Sequence, residues 1–220
     1  MKLVCISDTH MQLDKVMIPD GDILVHTGDL TGLGTIKEMS KELFELSKHR
    51  ARFKQILLVE GNHDWLGQHN PILMNEMCRD SGITLLRDSG ITIDGIKFYG
   101  SPWQPEFCNW AYNLPRGQAL KEKWDLIPDD TQVLLTHTGP NGIMDAKDVF
   151  NSKICEYEVQ HLGCVDLYNR IMELKELKLQ VWGHLHFGYG QSKIGNVDFV
   201  NASTCTERYK PTNPPIIITI

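Results

Sequence analysis

Apolar residues in this chain come in short, nearly unbroken runs. Leu3 to Ser7, Asp22 to Thr27, Gln55 to Val59, Val133 to Thr136 and Leu179 to Trp182 are rich in Leu, Ile and Val. That pattern predicts strands buried on both faces. Ile83 to Leu86, Ile91 to Asp94 and Ile96 to Tyr99 are shorter strands, with Asp94-Gly95 as a tight hairpin turn between the last two. Val197 to Val200 and Ile216 to Ile220 add two more. Helical spacing appears over Thr35 to His49, where Ile36, Met39, Leu43 and Leu46 share a face. Thr35 followed by Glu38 reads as a capping box. Further helices are expected at Pro71 to Asp80, Gln118 to Asp125 and Asp166 to Leu177, the last with Leu167, Ile171, Leu174 and Leu177 on one side. Ser101 to Arg116 has no period and reads as a structured surface loop; Thr138 to Cys155 reads as irregular. Alternating helices and strands predict an α/β or mixed α+β class. With no linker in sight, residues 1–220 are expected to form a single domain.

Composition narrows the class. The chain has 220 residues, 41% hydrophobic and 23% charged, with a formal net charge of -6. An acidic balance argues against wrapping long nucleic acid, which calls for a basic stripe. No run approaches the roughly 20 apolar residues of a membrane span, and the first apolar run is too short for a signal peptide. Cys5, Cys78, Cys108, Cys155, Cys164 and Cys205 lack CxxC spacing and read as free thiols. The expected setting is the cytoplasm; oligomeric state is not encoded in any visible pattern.

The chemistry lies directly after the five buried strands. There stand Asp8-Thr9-His10, Gly28-Asp29, Gly61-Asn62-His63-Asp64, His137 and Gly183-His184-Leu185-His186. Open α/β sheets bind ligands at the carboxyl ends of their strands, so these five blocks can meet on one rim. Glycines before Asp29, Asn62 and His184 are expected to relax the backbone where the strands stop. Oxygen and nitrogen donors without thiolate suit Mn, Fe, Co or Zn rather than Ca. Two such ions about 3.5–4 Å apart form a clamp for in-line attack at phosphorus. Two divalent ions, two aspartates and one hydroxide leave the site near +1, which attracts a phosphate even on an acidic protein. The other histidines, His26, His49, His69 and His161, read as ordinary polar residues.

The blocks DxH, GD, GNH[DE], H and GHxH, in this order, resemble the calcineurin-like metallophosphoesterase superfamily. The segments HTGDLTG, GSPWQP, GHLHFGYG, NASTC and PTNPPII look like its metallophosphoesterase-domain-containing, UPF0046-type subfamily. The resemblance implies a four-layer α/β/β/α sandwich of two mixed β-sheets flanked by helices. It implies two divalent metal ions, manganese first, with Fe, Co, Ni, Zn or Mg as alternatives. Asp8, His10, Asp29 and His186 would hold the first; Asp29, Asn62, His137 and His184 the second, with Asp29 bridging. His63 would be the catalytic residue beside the leaving-group oxygen, while a metal-bridging hydroxide attacks phosphorus. Asp64 would cap its local turn rather than orient His63. Gly32, three residues after Asp29, departs from the tyrosine of purple acid phosphatases. The stretch Asp29-Leu30-Thr31-Gly32-Leu33-Gly34 lacks the arginine of phosphoprotein phosphatases.

Substrate contacts are expected from the irregular stretch before the fourth block: Trp103 for stacking, Asn113 and Arg116 for polar contacts, with Asn62 also reaching substrate. The Trp side chains could equally fill core. The expected reaction is hydrolysis of a small phosphodiester, a cyclic nucleotide or related nucleotide diester. Rivals are a phosphomonoesterase or nuclease using the same site, or a non-catalytic scaffold with this fold.

Overall fold

The computed structural model describes residues 1–151 and 156–220. Its strands are β1 Lys2–Ile6, β2 Ile23–Thr27, β3 Gln55–Val59, β4 Thr84–Leu85, β5 Ser89–Ile93, β6 Ile96–Ser101, β7 Gln104–Pro105, β8 Asn113–Leu114, β9 Val133–Thr136, β10 Ala146–Asn151, β11 Glu156–His161, β12 Leu179–Trp182, β13 Gly190–Ile194, β14 Val197–Asn201 and β15 Ile216–Thr219. The α-helices are α1 Ile36–Ser47, α2 Trp65–His69, α3 Pro71–Asp80, α4 Gln118–Trp124 and α5 Val165–Glu173.

Two sheets dominate. One runs β15-β1-β2-β3-β4, the other β13-β14-β12-β9-β6-β5. The strands that carry the ligand blocks are parallel to one another within each sheet: β1, β2 and β3 in the first, β9 and β12 in the second. Antiparallel strands sit only at the edges.

Strand alternation explains the layers. In the first sheet Leu3, Cys5, Ile23, Val25, Leu57 and Val59 face inward. They pack against Phe98, Val133, Leu135, Leu179, Val181 and Val200 of the second. The opposite faces take the helices. Val4, Ile6, Leu24 and Leu58 meet Met39, Leu43 and Leu46 of α1 and Met74 and Cys78 of α3. Tyr99, Leu134, Trp182 and Phe199 meet Leu120 and Trp124 of α4 and Leu167 and Ile171 of α5. The result is the four-layer α/β/β/α sandwich, and both-face burial is why the central strands read as unbroken apolar runs.

Several local expectations change. The Thr35 side chain accepts from the Glu38 N–H, but Glu38 reaches back to Leu33 N–H rather than closing a capping box. Ile36 is exposed, and the buried face of α1 is Met39, Glu42, Leu43 and Leu46. Residues 138–151, expected irregular, contain β10, which pairs with β11 in a separate hairpin. The alternating polar residues of that hairpin hid its β pattern. The Ser101–Arg116 stretch contains β7 and β8, paired in parallel. Helix α2 and strand β13 were not expected at all, since α2 is only five residues long and β13 is polar. Cys155 lies outside the described residues; the other five cysteines are free.

The interface between the sheets makes a direct test. Leu57 is fully buried there, whereas Met17 is 91% exposed. Leu57→Ala should lower unfolding free energy by about 3 kcal/mol in urea titration. Met17→Ala should change it by less than about 0.5 kcal/mol.

Candidate metal centre

Backbone hydrogen bonds tie the end of β1 to that of β2, and the end of β12 to that of β9, before any side chain acts. Asp8 N–H donates to Gly28 O (2.9 Å), His10 N–H to Asp29 O (3.1 Å) and Gly183 N–H to His137 O (3.1 Å). A bridge between Ser7 and Ser203 joins the first sheet to the segment after β14. On this rim, residues that normally avoid it adopt the left-handed backbone region: Asp8 at φ 51°, His10 at 42°, Asp29 at 54° and His184 at 63°. Each costs about 1 kcal/mol or more and persists only where surroundings over-determine it. Glycine works partly by close approach here. A Cβ on Gly61 would sit 2.3 Å from Asp29 Oδ1, and one on Gly183 would sit 2.0 Å from Asp8 Oδ2. The expectation that these two glycines simply relax turns therefore gives way to a packing reason.

The seven residues expected to bind metal converge, with His63 beside them. Asp8, His10 and His186 place one donor atom each within 4.8 Å of one another, as do Asp29, His137 and His184, and His10, Asp29 and His63. Asn62 Oδ1 lies 2.8 Å from His137 Nε2 and 2.9 Å from His184 Nδ1. Asp29 turns its two oxygens to different sides: Oδ1 lies 3.4 Å from His137 Nε2, and Oδ2 lies 3.8 Å from His10 Nε2.

The tautomers show what fits between these atoms. His137 Nδ1 donates to Thr27 O at 2.9 Å, and His186 Nδ1 donates to Thr206 O at 3.0 Å. In the neutral ring each Nε2 then carries a lone pair pointing at further acceptors. His186 Nε2 stands 3.2 Å from both Asp8 Oδ1 and His10 Nε2. Lone pairs this close repel unless a cation or a proton lies between them. The donor set thus fits two divalent cations sharing Asp29.

Without metal, protons take that place. Burial alone would lower the His137 pKa, but the Asp29 carboxylate outweighs it and raises the value to about 9. Burial likewise opposes His186, and the bond to Asp8 carries it up to about 9. Burial lowers His10 to about 4 and His184 to about 3, so both are neutral donors. Asp8 and Asp29 are held below the usual carboxylate range despite burial, by His186 and His137 respectively.

The outer contacts are polar and specific. Asp8 accepts from the His184 N–H (2.9 Å) and from Ser203 Oγ (3.0 Å). Asp64 accepts from the N–H groups of Leu30, Thr31 and Gly61 and from Thr31 Oγ1. It therefore pins two ligand loops together and makes no contact with the His63 ring, as the turn reading holds. His63 donates Nδ1–H to Gly32 O at 2.6 Å, leaving Nε2 toward the site, 4.0 Å from Asp29 Oδ2. The Trp110 ring stacks on it at 4.1 Å.

The expected substrate contacts divide. Asn62 is in the centre. Trp103 is not at the site: its Nε1–H is bound by Asp88 at 2.8 Å, Lys123 lies over its ring, and it packs on the third core layer. Asn113 Nδ2 donates to the carbonyls of Phe107 and Cys108, so it shapes the loop. Arg116 does line a cavity beside His184 and His186, but its NH1 and NH2 donate to Gly163 O and Leu162 O. Sequence reasoning missed Tyr209, whose ring lies 4.8 Å from His10 and 5.5 Å from His186. No ligand spacing marks it, since it arrives from a turn after the last block.

The family profile for calcineurin-like phosphoesterases matches residues 1–188. This chain belongs to the calcineurin-like phosphoesterase family. It is 37% identical to metallophosphoesterase domain-containing protein 1 of Homo sapiens over 99% of its length and 70% of that protein's. A UPF0046 protein of Caenorhabditis elegans is 33% identical, over 100% of this chain and 75% of its own. The crystal structure of TT1561 from Thermus thermophilus shares the fold, with a TM-score of 0.58 at 15% identity over 91% of this chain and 88% of that one. Membership makes this calcineurin-like phosphoesterase a metal-dependent hydrolase of phosphoric esters, with candidate ligand clusters for a dinuclear centre. No helix among the described residues is long and apolar enough to cross a membrane.

Two outcomes follow. Loading the metal-free protein with Mn at about pH 7.5 should release about two protons per chain, from His137 and His186. Affinity should rise with pH up to about 9, where both rings lose their protons. Calorimetry in buffers of different ionisation enthalpy reads both. Gly61→Ala should weaken metal binding at least about tenfold by pushing Asp29 aside, with circular dichroism near wild type.

Proposed function

We propose that this phosphoesterase hydrolyses small phosphodiesters, a cyclic nucleotide or related nucleotide diester, with manganese as the working metal. The observation that carries the reading is Asp29, whose two oxygens face two separate clusters of nitrogen and oxygen donors. Asp8, His10, His186 and Asp29 would hold one ion; Asn62, His137, His184 and Asp29 the other. When bound, such ions supply a water acidic enough to attack phosphorus at neutral pH and offset phosphate charge.

The residues of the chain do the rest. With Nδ1–H committed to Gly32, a protonated His63 presents Nε2–H toward the centre. From there it can hydrogen-bond a phosphate oxygen and pass its proton to the departing alkoxide. The Trp110 ring packs against that ring at 4.1 Å, tilted by 31°. Asp8, locked by His184 N–H and Ser203 Oγ, cannot swing away as charge develops. Glu106 and Glu207 line the neighbouring cavity, and the net charge is -6, which disfavours long nucleic acid. Five free cysteines, four of them buried, fit a cytoplasmic setting.

The test is a matrix of metals and substrates: Mn, Fe, Co, Ni, Zn and Mg against cyclic nucleotides, bis(p-nitrophenyl) phosphate and p-nitrophenyl phosphate. Diesters should turn over faster than the monoester, best with Mn. Monoester preference would make the chain a phosphomonoesterase, and failure with every metal would favour a scaffold. His63→Asn should cut kcat about 100-fold or more while retaining both metals; an unchanged rate would remove His63 from the reaction.

A further inference from the structure

Beside the metal centre lies a cavity of about 470 Å³ whose lining includes His184 and His186. Its size is that of a small-molecule subsite. Three aromatic rings border it: Phe107, Phe187 and Tyr209. Phe107 is 58% exposed and Tyr209 is 50% exposed, so both rings offer apolar surface that the fold leaves uncovered. Neither is loose. Phe107 O accepts from Asn113 Nδ2 at 3.0 Å, and the Phe107 ring meets His184 edge-on at 6.5 Å. Tyr209 N–H donates to Thr206 O, the same carbonyl that holds His186, and Tyr209 O accepts from Gln12 Nε2 at 2.9 Å.

The charged side chains lining this cavity, Glu106, Glu207, Arg116 and Lys147, sum to zero. Lys147 pairs with Glu207 and lies over the Phe187 ring, while Arg116 is bound to two carbonyls. A second phosphate would meet Glu106 and Glu207, and among the described residues the two cations of the lining, Lys147 and Arg116, already have partners. A flat apolar group meets three rings instead, at modest cost in desolvation.

The cavity also lies apart from the leaving-group side. Its lining includes neither His63 nor Trp110, the pair that stack on each other at 4.1 Å. From this geometry we infer that the cavity is the subsite for a flat aromatic group carried by the ester that stays on phosphorus after cleavage, with Phe107 and Tyr209 as its walls. The inference rests on the phosphodiesterase reading and, for a linear diester, specifies where the two ester groups go.

Phosphonates mimic the product with its retained group and cannot be hydrolysed. Calorimetry should show phenylphosphonate binding the Mn-loaded protein about tenfold tighter than methylphosphonate. Phe107→Ala should close most of that gap while leaving methylphosphonate binding unchanged, and Tyr209→Leu should narrow it independently. Equal binding of the two probes, binding of neither, or equal weakening of both by Phe107→Ala would overturn the assignment. So would a gap closed by Trp110→Ala instead, because the group would then sit on the His63 side. A gap closed by Phe107→Ala in a protein that cleaves no diester would support the subsite and retire the proposed reaction.

Discussion

Everything at this site depends on one electrostatic constraint: acceptor atoms crowded against acceptor atoms. His137 Nε2 faces Asn62 Oδ1 at 2.8 Å and Asp29 Oδ1 at 3.4 Å, and His186 Nε2 faces Asp8 Oδ1 at 3.2 Å. Such an array holds together only around positive charge. Protons serve in the metal-free protein, and divalent ions fit the same places. The rest of the rim is arranged to keep the array from relaxing. Left-handed backbone at Asp8, His10, Asp29 and His184, the near contact of Gly61 with Asp29, and the carbonyls behind His137 and His186 all act to that end.

The sandwich supplies the precision. Because β1, β2 and β3 are parallel, their carboxyl ends deliver Asp8, Asp29 and Asn62 to one edge of the first sheet. β9 and β12 bring His137 and His184 to the matching edge of the second. The inner core layer between Leu57, Val59, Leu135 and Val181 keeps those two edges in register. A shift between the sheets would separate Asn62 Oδ1 from both histidines it touches. Stability and chemistry are therefore coupled through the same apolar layer.

Much of this was legible in the chain. The five central strands announced themselves as apolar runs because both of their faces are buried, and the ligand residues follow them at once. The structure brings together all seven expected ligands and His63. What stayed hidden has physical causes. The β10–β11 hairpin and β13 are polar and lie outside the main core, so they carry no apolar run. Trp103 and Asn113 looked like substrate contacts because an irregular stretch gives no sign of which way its side chains point. In the fold one packs on core and the other holds the Phe107 loop. Tyr209 reaches the site from a turn with no spacing signature.

In the proposed centre Asp29 is shared by two cations. Crystals grown with Mn and measured at wavelengths above and below its absorption edge give the most direct answer. Two anomalous peaks are expected, one among Asp8, His10 and His186, the other among Asn62, His137 and His184, with an Asp29 oxygen on each. A single peak, or two peaks with Asp29 touching only one, would contradict it.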